Sequence, residues 1–172
     1  NSTDITFYGY LYNWPAVMNG AASSNANPSG VQGVCPDGWH VPSTAEWESL
    51  MTYMNSQSQY VCQSGYTDSF AKSLADSVAW ATNTQTCDVG YNLSENNATG
   101  FSARPAGYMS IKFGNTPTIL KPVNFGYNAY FWSATETSPV QVGGYNIEYS
   151  NPSFFSSSAS KYYGRSVRCV RD

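Results

Sequence analysis

Cys35-Pro36-Asp37-Gly38-Trp39-His40-Val41-Pro42-Ser43-Thr44-Ala45-Glu46-Trp47-Glu48-Ser49-Leu50 decides the architecture, because a helix start can be read in it residue by residue. Ser43 and Glu46, three positions apart, make a capping box in which each side chain satisfies an orphan backbone N–H of the first turn. Trp47, Leu50, Met51 and Met54 follow at i, i+3, i+4 and i+7, so one stripe of a helix of about 12 residues faces a core. His40, the sole histidine, stands between Trp39 and Val41 just ahead of this start. That setting suits a ring that satisfies a loop carbonyl better than one that moves protons.

Upstream of the helix, residues 5–14 are aromatic and β-prone and halt at Pro15, which reads as a first strand. Residues 19–33 are small, polar and turn-forming, a surface loop. Downstream, Phe70, Leu74 and Val78 lie at four-residue spacing, predicting a second helix from Asp68 or Ser69 to Val78 that packs against the first. Residues 81–100 read as irregular. Short strands are expected at 101–103, 108–113, 130–135, 145–149 and 166–170, each bounded by Gly, Pro or Asn. Helices first and strands afterwards favour one α+β domain over residues 1–172, and no internal repeat is visible.

Composition narrows the function. The 172 residues carry 8 Lys+Arg and 11 Asp+Glu for a net charge of -3, and 11% charged content lies well below the roughly 25% usual for soluble domains. Scattered cations exclude a phosphate-backbone surface, so no nucleic acid is expected as a partner. Arg165, Arg168 and Arg171 are close together and read as a terminal strand with alternating Arg. With 41% hydrophobic and 16% aromatic residues the chain has enough surface to bury. No run of about 18 apolar residues is present, so no membrane span is expected. The chain starts at Asn1 without Met or an apolar leader, and the expectation is that an export signal or lipid anchor lies upstream.

Cys35, Cys62, Cys87 and Cys169 are too far apart for a Cys-x-x-Cys knuckle or redox motif, which leaves structural disulfides in an oxidising compartment. Of three possible pairings the nested one is chosen. Closing Cys62 to Cys87 would then contribute roughly 3 to 3.5 kcal/mol and Cys35 to Cys169 roughly 5 kcal/mol by chain entropy.

Enzymatic chemistry finds little support. Glu46 and Glu48 point to different helix faces, and Glu136 and Glu148 have no paired carboxylate nearby in sequence. Phosphate-cradling glycine signatures are missing. The sequons at Asn1, Asn92 and Asn97 arise readily in an Asn- and Ser-rich chain. Residues 144–163, by contrast, combine Tyr and Phe with Ser, Asn and Gly, a mixture suited to a paratope because rigid rings give area and small polar groups adapt. Phe154 and Phe155 are adjacent, so a strand could bury only one of them. Candidate ligand contacts are Tyr127, Tyr130, Trp132, Tyr145, Asn146, Tyr149, Asn151, Phe154, Phe155, Ser156, Tyr162 and Tyr163.

Five ordered segments, at residues 8–14, 33–47, 99–108, 130–136 and 166–172, resemble the Fibrobacter succinogenes major paralogous domain of exported, often lipid-anchored bacterial proteins. The resemblance implies a C-type-lectin-like fold: two helices flanking a small twisted, mostly antiparallel sheet, with the first and last strands paired and a late loop region displaying the binding surface. It implies a bridge from Cys35 to Cys169. Related members are diversified by retroelements that substitute template adenines, and the 145–163 composition fits such variation. The Glu-Pro-Asn and Trp-Asn-Asp calcium tripeptides of sugar-binding relatives are absent, and Asn146, Glu148 and Asn151 make a thin oxygen set. Residues 41–47 also resemble formylglycine-generating oxidases, whose copper needs two late cysteines, whereas Cys169 has no late companion. The expectation is a non-enzymatic surface module, bacterial or phage-encoded, binding a protein or glycan without metal or cofactor. The alternative is a structural or adhesin-associated domain of an envelope protein.

Overall fold

The computed structural model describes residues 6–63, 65–112, 118–119 and 122–172. Ile5 and Phe113, at the ends of two expected strands, and the Asn1 sequon lie outside the described residues. In chain order the elements are α1 (Trp14–Met18), β1 (Trp39–His40), α2 (Thr44–Ser56), α3 (Ala71–Leu74), a 3-10 turn (Leu93–Glu95), β2 (Ile111–Lys112), β3 (Thr118–Ile119), β4 (Asn128–Ser138), β5 (Gln141–Glu148), β6 (Phe155–Ser160) and β7 (Val170–Arg171). The result is a mixed α/β architecture with small antiparallel sheets and two disulfides.

The capping box closes as the residue types dictate. Ser43 Oγ accepts from the Glu46 N–H at 3.2 Å, and Glu46 Oε2 accepts from the Ser43 N–H at 2.9 Å. Trp47 and Met54 are buried, with Leu50 and Met51 partly so, on the predicted stripe of α2. That stripe lies on one face of the sheet β4-β5-β6, among Phe131, Tyr145, Ile147 and Phe154, with Phe70 and Leu74 closing the side. The opposite face packs at one end against a second cluster, where Trp132, Val142 and Ala159 meet Trp14, Val17, Met18 and Val41. Burial on both faces explains why β5 reads as nearly continuous burial from Val142 to Ile147 instead of alternation.

Three expectations are corrected. Pro15 does not halt a strand. It occupies the first turn of α1, where a missing N–H costs nothing, while Asn13 Oδ1 accepts from the Ala16 N–H at 3.0 Å as N-cap. Of residues 6–14 only Tyr12 pairs β-fashion, with Arg165. The second helix is one turn, because Ala103 donates to Leu74 O at 2.9 Å and Asp76 donates to Ala103 O at 2.8 Å, occupying groups that a longer helix would use. Val78 is consequently exposed. The tail is not an alternating strand: only Val170 and Arg171 pair, with His40 and Trp39, and Ser166 bridges to Phe131. This pairing of β1 with β7 brings the late chain against the start of α2.

His40 performs a task beyond satisfying a carbonyl. It is buried, with Nε2 2.6 Å from Glu46 Oε1 and Nδ1 2.6 Å from Asp172 Oδ1. Both contacts are hydrogen bonds only when both ring nitrogens carry protons. Burial pushes the imidazolium pKa down, but the bonds and charges of Glu46 and Asp172 together outweigh it and hold the pKa above its ordinary value. The cation joins the N-cap of α2 to the end of the tail. Nearby, Cys35 bonds Cys169 across 134 residues, and Cys62 bonds Cys87 across 25, the nested pairing.

Stabilisation from a raised histidine pKa is complete below the unfolded value near 6.5 and fades as pH rises through the folded value. His40→Gln is expected to cost about 2 kcal/mol at pH 5.5 and less at pH 9, read from urea unfolding at both pH values; an equal cost at both would refute the charged clasp. Cys35→Ala with Cys169→Ala is expected to cost about 3 to 5 kcal/mol, more than the Cys62/Cys87 pair, by the same measurement.

Candidate functional site

The twelve candidate contacts do not form one surface. Trp132 and Phe154 are 0% exposed, Tyr145 is 1% and Asn146 is 2%. The three rings are core, so the expectation that they contact a ligand is corrected. Strand alternation and register send Tyr145 toward α2, where it stacks on Phe154 with centroids 5.4 Å apart and lies 5.5 Å from Trp47. Burial, then the charge of Glu48, pushes the Tyr145 hydroxyl up to about 12. Trp132 points to the other face, and its indole N–H donates to Tyr12 O at 2.8 Å. Of the neighbouring phenylalanines, Phe154 takes the inward place and Phe155 the outward one.

The remaining candidates fall in separate places. Tyr127 and Tyr149 form an edge-to-face pair 5.1 Å apart at one end of the β4–β5 hairpin, with Tyr127 exposed. Asn151 lines a polar cleft of about 570 Å³ with Tyr66, Gln85 and Asp88 beside the inner disulfide, and its Oδ1 accepts from the Ser153 N–H at 2.9 Å. Ser156 is exposed on β6, and Tyr162 is exposed in the turn after it. An apolar groove of about 430 Å³ between α2 and the tail, lined by Trp47, Leu50, Phe101 and Arg168, contains none of the candidates.

Four candidates do converge, on the outer face of β4-β5-β6 away from α2. Tyr130, Asn146 and Phe155 stand side by side in register across the three strands. Tyr130 packs edge-on against Tyr108 at 5.3 Å, which in turn lies 5.4 Å from Tyr163. Burial raises the Tyr130 hydroxyl pKa, and Asn124 donates to that oxygen at 3.0 Å, opposing the rise. Tyr130, Phe155 and Tyr163 are each half-buried, as rings at a surface rather than under one.

The centre of this face is a residue that sequence reasoning missed. Arg165 is 5% exposed, and its guanidinium lies 5.0 Å from the Tyr130 ring centroid and 4.9 Å from that of Trp132. Its Nη1 donates to Ser157 Oγ on β6 at 3.1 Å. No described carboxylate pairs with it, and its Nε, like Asn146 Oδ1, is buried without a hydrogen-bond partner. Burial pulls its pKa down to about 10 against the pull of Tyr130, Tyr108 and Tyr163, so it is a cation at neutral pH. Gly144 makes the space: a Cβ there would sit 2.8 Å from Nη1 and 2.5 Å from Phe131 O. The signal in the sequence was Gly143-Gly144 inside an otherwise β-prone run, which marks a close approach. Arg168 is engaged elsewhere, over Phe101 at 4.3 Å with a bond to Phe101 O.

Such an arrangement can bind. Half-buried tyrosines and a desolvated guanidinium that no described carboxylate pairs with are residue types that dominate interface energetics, with a serine to adapt hydrogen bonds beside them, and an orphaned buried polar group calls for an explanation. Truncations separate the two classes of ring: Tyr145→Ala and Phe154→Ala are each expected to cost about 3 to 5 kcal/mol, whereas Tyr127→Ala and Tyr162→Ala cost no more than about 1.5 kcal/mol, in urea unfolding. Comparable costs would contradict this division.

No curated protein and no solved structure matches the chain. The Fibrobacter succinogenes major domain model matches residues 1–171, which includes the capped helix, the sheet with its aromatic face and the bridged tail, and the chain belongs to that family.

Proposed function

We propose that this domain is a non-catalytic, exported binding module whose ligand surface is the outer face of β4-β5-β6, built on a C-type-lectin-like scaffold. The observation that carries the reading is Arg165, a desolvated cation that no described carboxylate pairs with, lying against Tyr130 and near Tyr163 on the face that Phe155 shares by register. Burying an ion without a partner costs several kcal/mol, and a ligand that supplies the missing charge recovers part of that cost. Support for the scaffold comes from the bridge between the start of α2 and the tail and from the pairing of β1 with β7. Support for export comes from two disulfides in a chain of low charge. All four cysteines are bridged, which speaks against the thiolate chemistry of the formylglycine-generating oxidases.

The ligand is a protein or a glycan. Any adenine-directed variation is confined by packing: Tyr145, Asn146 and Phe154 are buried, which leaves Phe155, residues 156–158 and Tyr162 as positions that can vary without disturbing the core. The immobilised domain, probed against glycan and peptide arrays, is expected to retain a ligand that Tyr163→Ala and Phe155→Ala weaken at least ten-fold, with the melting temperature moving by less than about 3 °C in Phe155→Ala and by more in Tyr163→Ala, whose ring also packs on the second core cluster. Retention that is indifferent to both variants, or no retention on either array, would defeat the reading and leave a structural role in the cell envelope.

A further inference from the structure

We infer that the domain binds an extended acidic peptide, added as an antiparallel strand to the free edge of β6 with a Glu or Asp side chain placed on Arg165. The inference rests on the reading of this face as the ligand surface and names its occupant.

The edge is open. Sheet order is β4-β5-β6, so over residues 156–158 β6 is paired with β5 alone among the described residues; the open stretch is bounded by the Phe154 N–H, which donates to Asp68 O at 3.0 Å, and by the Tyr163 N–H, which donates to Ser160 O at 3.0 Å. Lys161 donates to Val140 O at 3.1 Å, and the register continues through Ala159↔Val142, Ser157↔Gly144 and Phe155↔Asn146. Hydrogen-bonded pairs alternate in an antiparallel ladder, so Phe155, Ser157 and Ala159 direct their backbone groups toward β5, while Ser156 and Ser158 direct theirs outward. Among the described residues, no backbone group pairs with those of Ser156 or Ser158. Proteins ordinarily guard such an edge with charge, proline or a bulge. Phe-Ser-Ser-Ser-Ala-Ser over Phe155–Ser160 has no charged residue or proline, and its register with β5 is unbroken.

The edge and the cation coincide. Ser157, whose hydroxyl receives the Arg165 Nη1 bond, lies between the two outward-facing residues. A residue opposite Ser157 on an added antiparallel strand would occupy a non-hydrogen-bonded site, where facing side chains are closest at about 4.5 to 5.5 Å between Cβ atoms. Its side chain would project onto the same outer face as Ser157, within reach of Arg165. A carboxylate there supplies the counter-charge that no described residue provides. Two positions along, the peptide residue opposite Phe155 would rest on that ring, so the favoured pattern is an acidic residue two away from an apolar one. A second copy of this chain pairing through β6 does not fit, because residues 154–161 contain no Asp or Glu.

The test uses fluorescence anisotropy with labelled acetyl-Thr-Val-Thr-Glu-Thr-Val-Thr-amide and its Gln analogue. The Glu peptide is expected to bind at least ten-fold more tightly than the Gln peptide, and the difference should shrink in 1 M NaCl. Ser158→Pro removes an outward N–H that pairs with no described backbone group, along with the exposed Ser158 Oγ contacts to Thr137 Oγ1 and Gln141 Oε1, so it should abolish binding while the melting temperature falls by no more than about 5 °C. Ser157→Asp places an internal carboxylate beside Nη1 and should weaken binding at least ten-fold while raising the melting temperature. Equal affinity for the two peptides, full binding by Ser158→Pro, or a lowered melting temperature in Ser157→Asp would each overturn the inference. So would sedimentation showing a wild-type dimer that Ser158→Pro dissolves, which would assign the edge to a second copy. Array ligands lost on Tyr163→Ala, with no peptide bound, would overturn this inference and leave the reading of the face intact; loss of both would defeat both.

Discussion

The fold depends on Trp47 being packed among the rings of the inner sheet face. Its ring centroid lies 5.8 Å from Phe131, 5.5 Å from Tyr145, 5.7 Å from Phe154 and 6.3 Å from Phe101, so one side chain on α2 meets β4, β5, the residue just before β6 and the loop before β2. Aromatic pairs at these separations add to the large area each ring buries. The capping box fixes where α2 begins and therefore which way Trp47 points. The inner face of the sheet is thereby committed to α2, and whatever the sheet offers to a partner must be on its other face or its edge.

The outer face is held from a different direction. The tail crosses it with Arg165, is bridged through Cys169 to Cys35, and ends at Asp172 on His40. Cation, covalent bond and ion pair thus lie in succession along eight residues, which fixes the guanidinium with little freedom left in the backbone that carries it. A side chain whose ordering entropy is spent on folding loses less on association, which is why a rigidly mounted arginine is more useful to an interface than a mobile surface one.

Legibility in the sequence followed how local the determinant was. The α2 start was readable because Ser43, Glu46 and the Trp47 stripe act within two turns. The long irregular stretches were readable from their Gly, Asn and Ser content. The cysteine pairing followed from choosing nested loops and from the family resemblance. The first strand was misread because Pro15 can end one element or begin another, and only Asn13 capping Ala16 decides between them. The second helix was overextended because Ala103, nearly thirty positions later, takes the backbone of Leu74 and Asp76. β6 escaped notice because serines carry no apolar alternation. At the candidate site, composition could not assign faces: Tyr145 and Tyr163 look alike in sequence, and only register separates a core ring from a half-buried one.

The paired glycines of β5 set the alignment of the sheet by shape alone. Gly144 fits under the guanidinium and against Phe131 O, and Gly143 faces Thr44 and Ser133; a slip that brought Tyr145 to the Gly144 position would drive its side chain into the Phe131 carbonyl, and the opposite slip would press Val142 against the Thr44 hydroxyl. Because misalignment is rejected sterically at the central strand, the neighbouring serine-rich strand need encode nothing about its own alignment. That strand thereby takes its alignment from its neighbour, and its serines are free to spend their hydroxyls on contacts instead, as Ser157 does on Arg165.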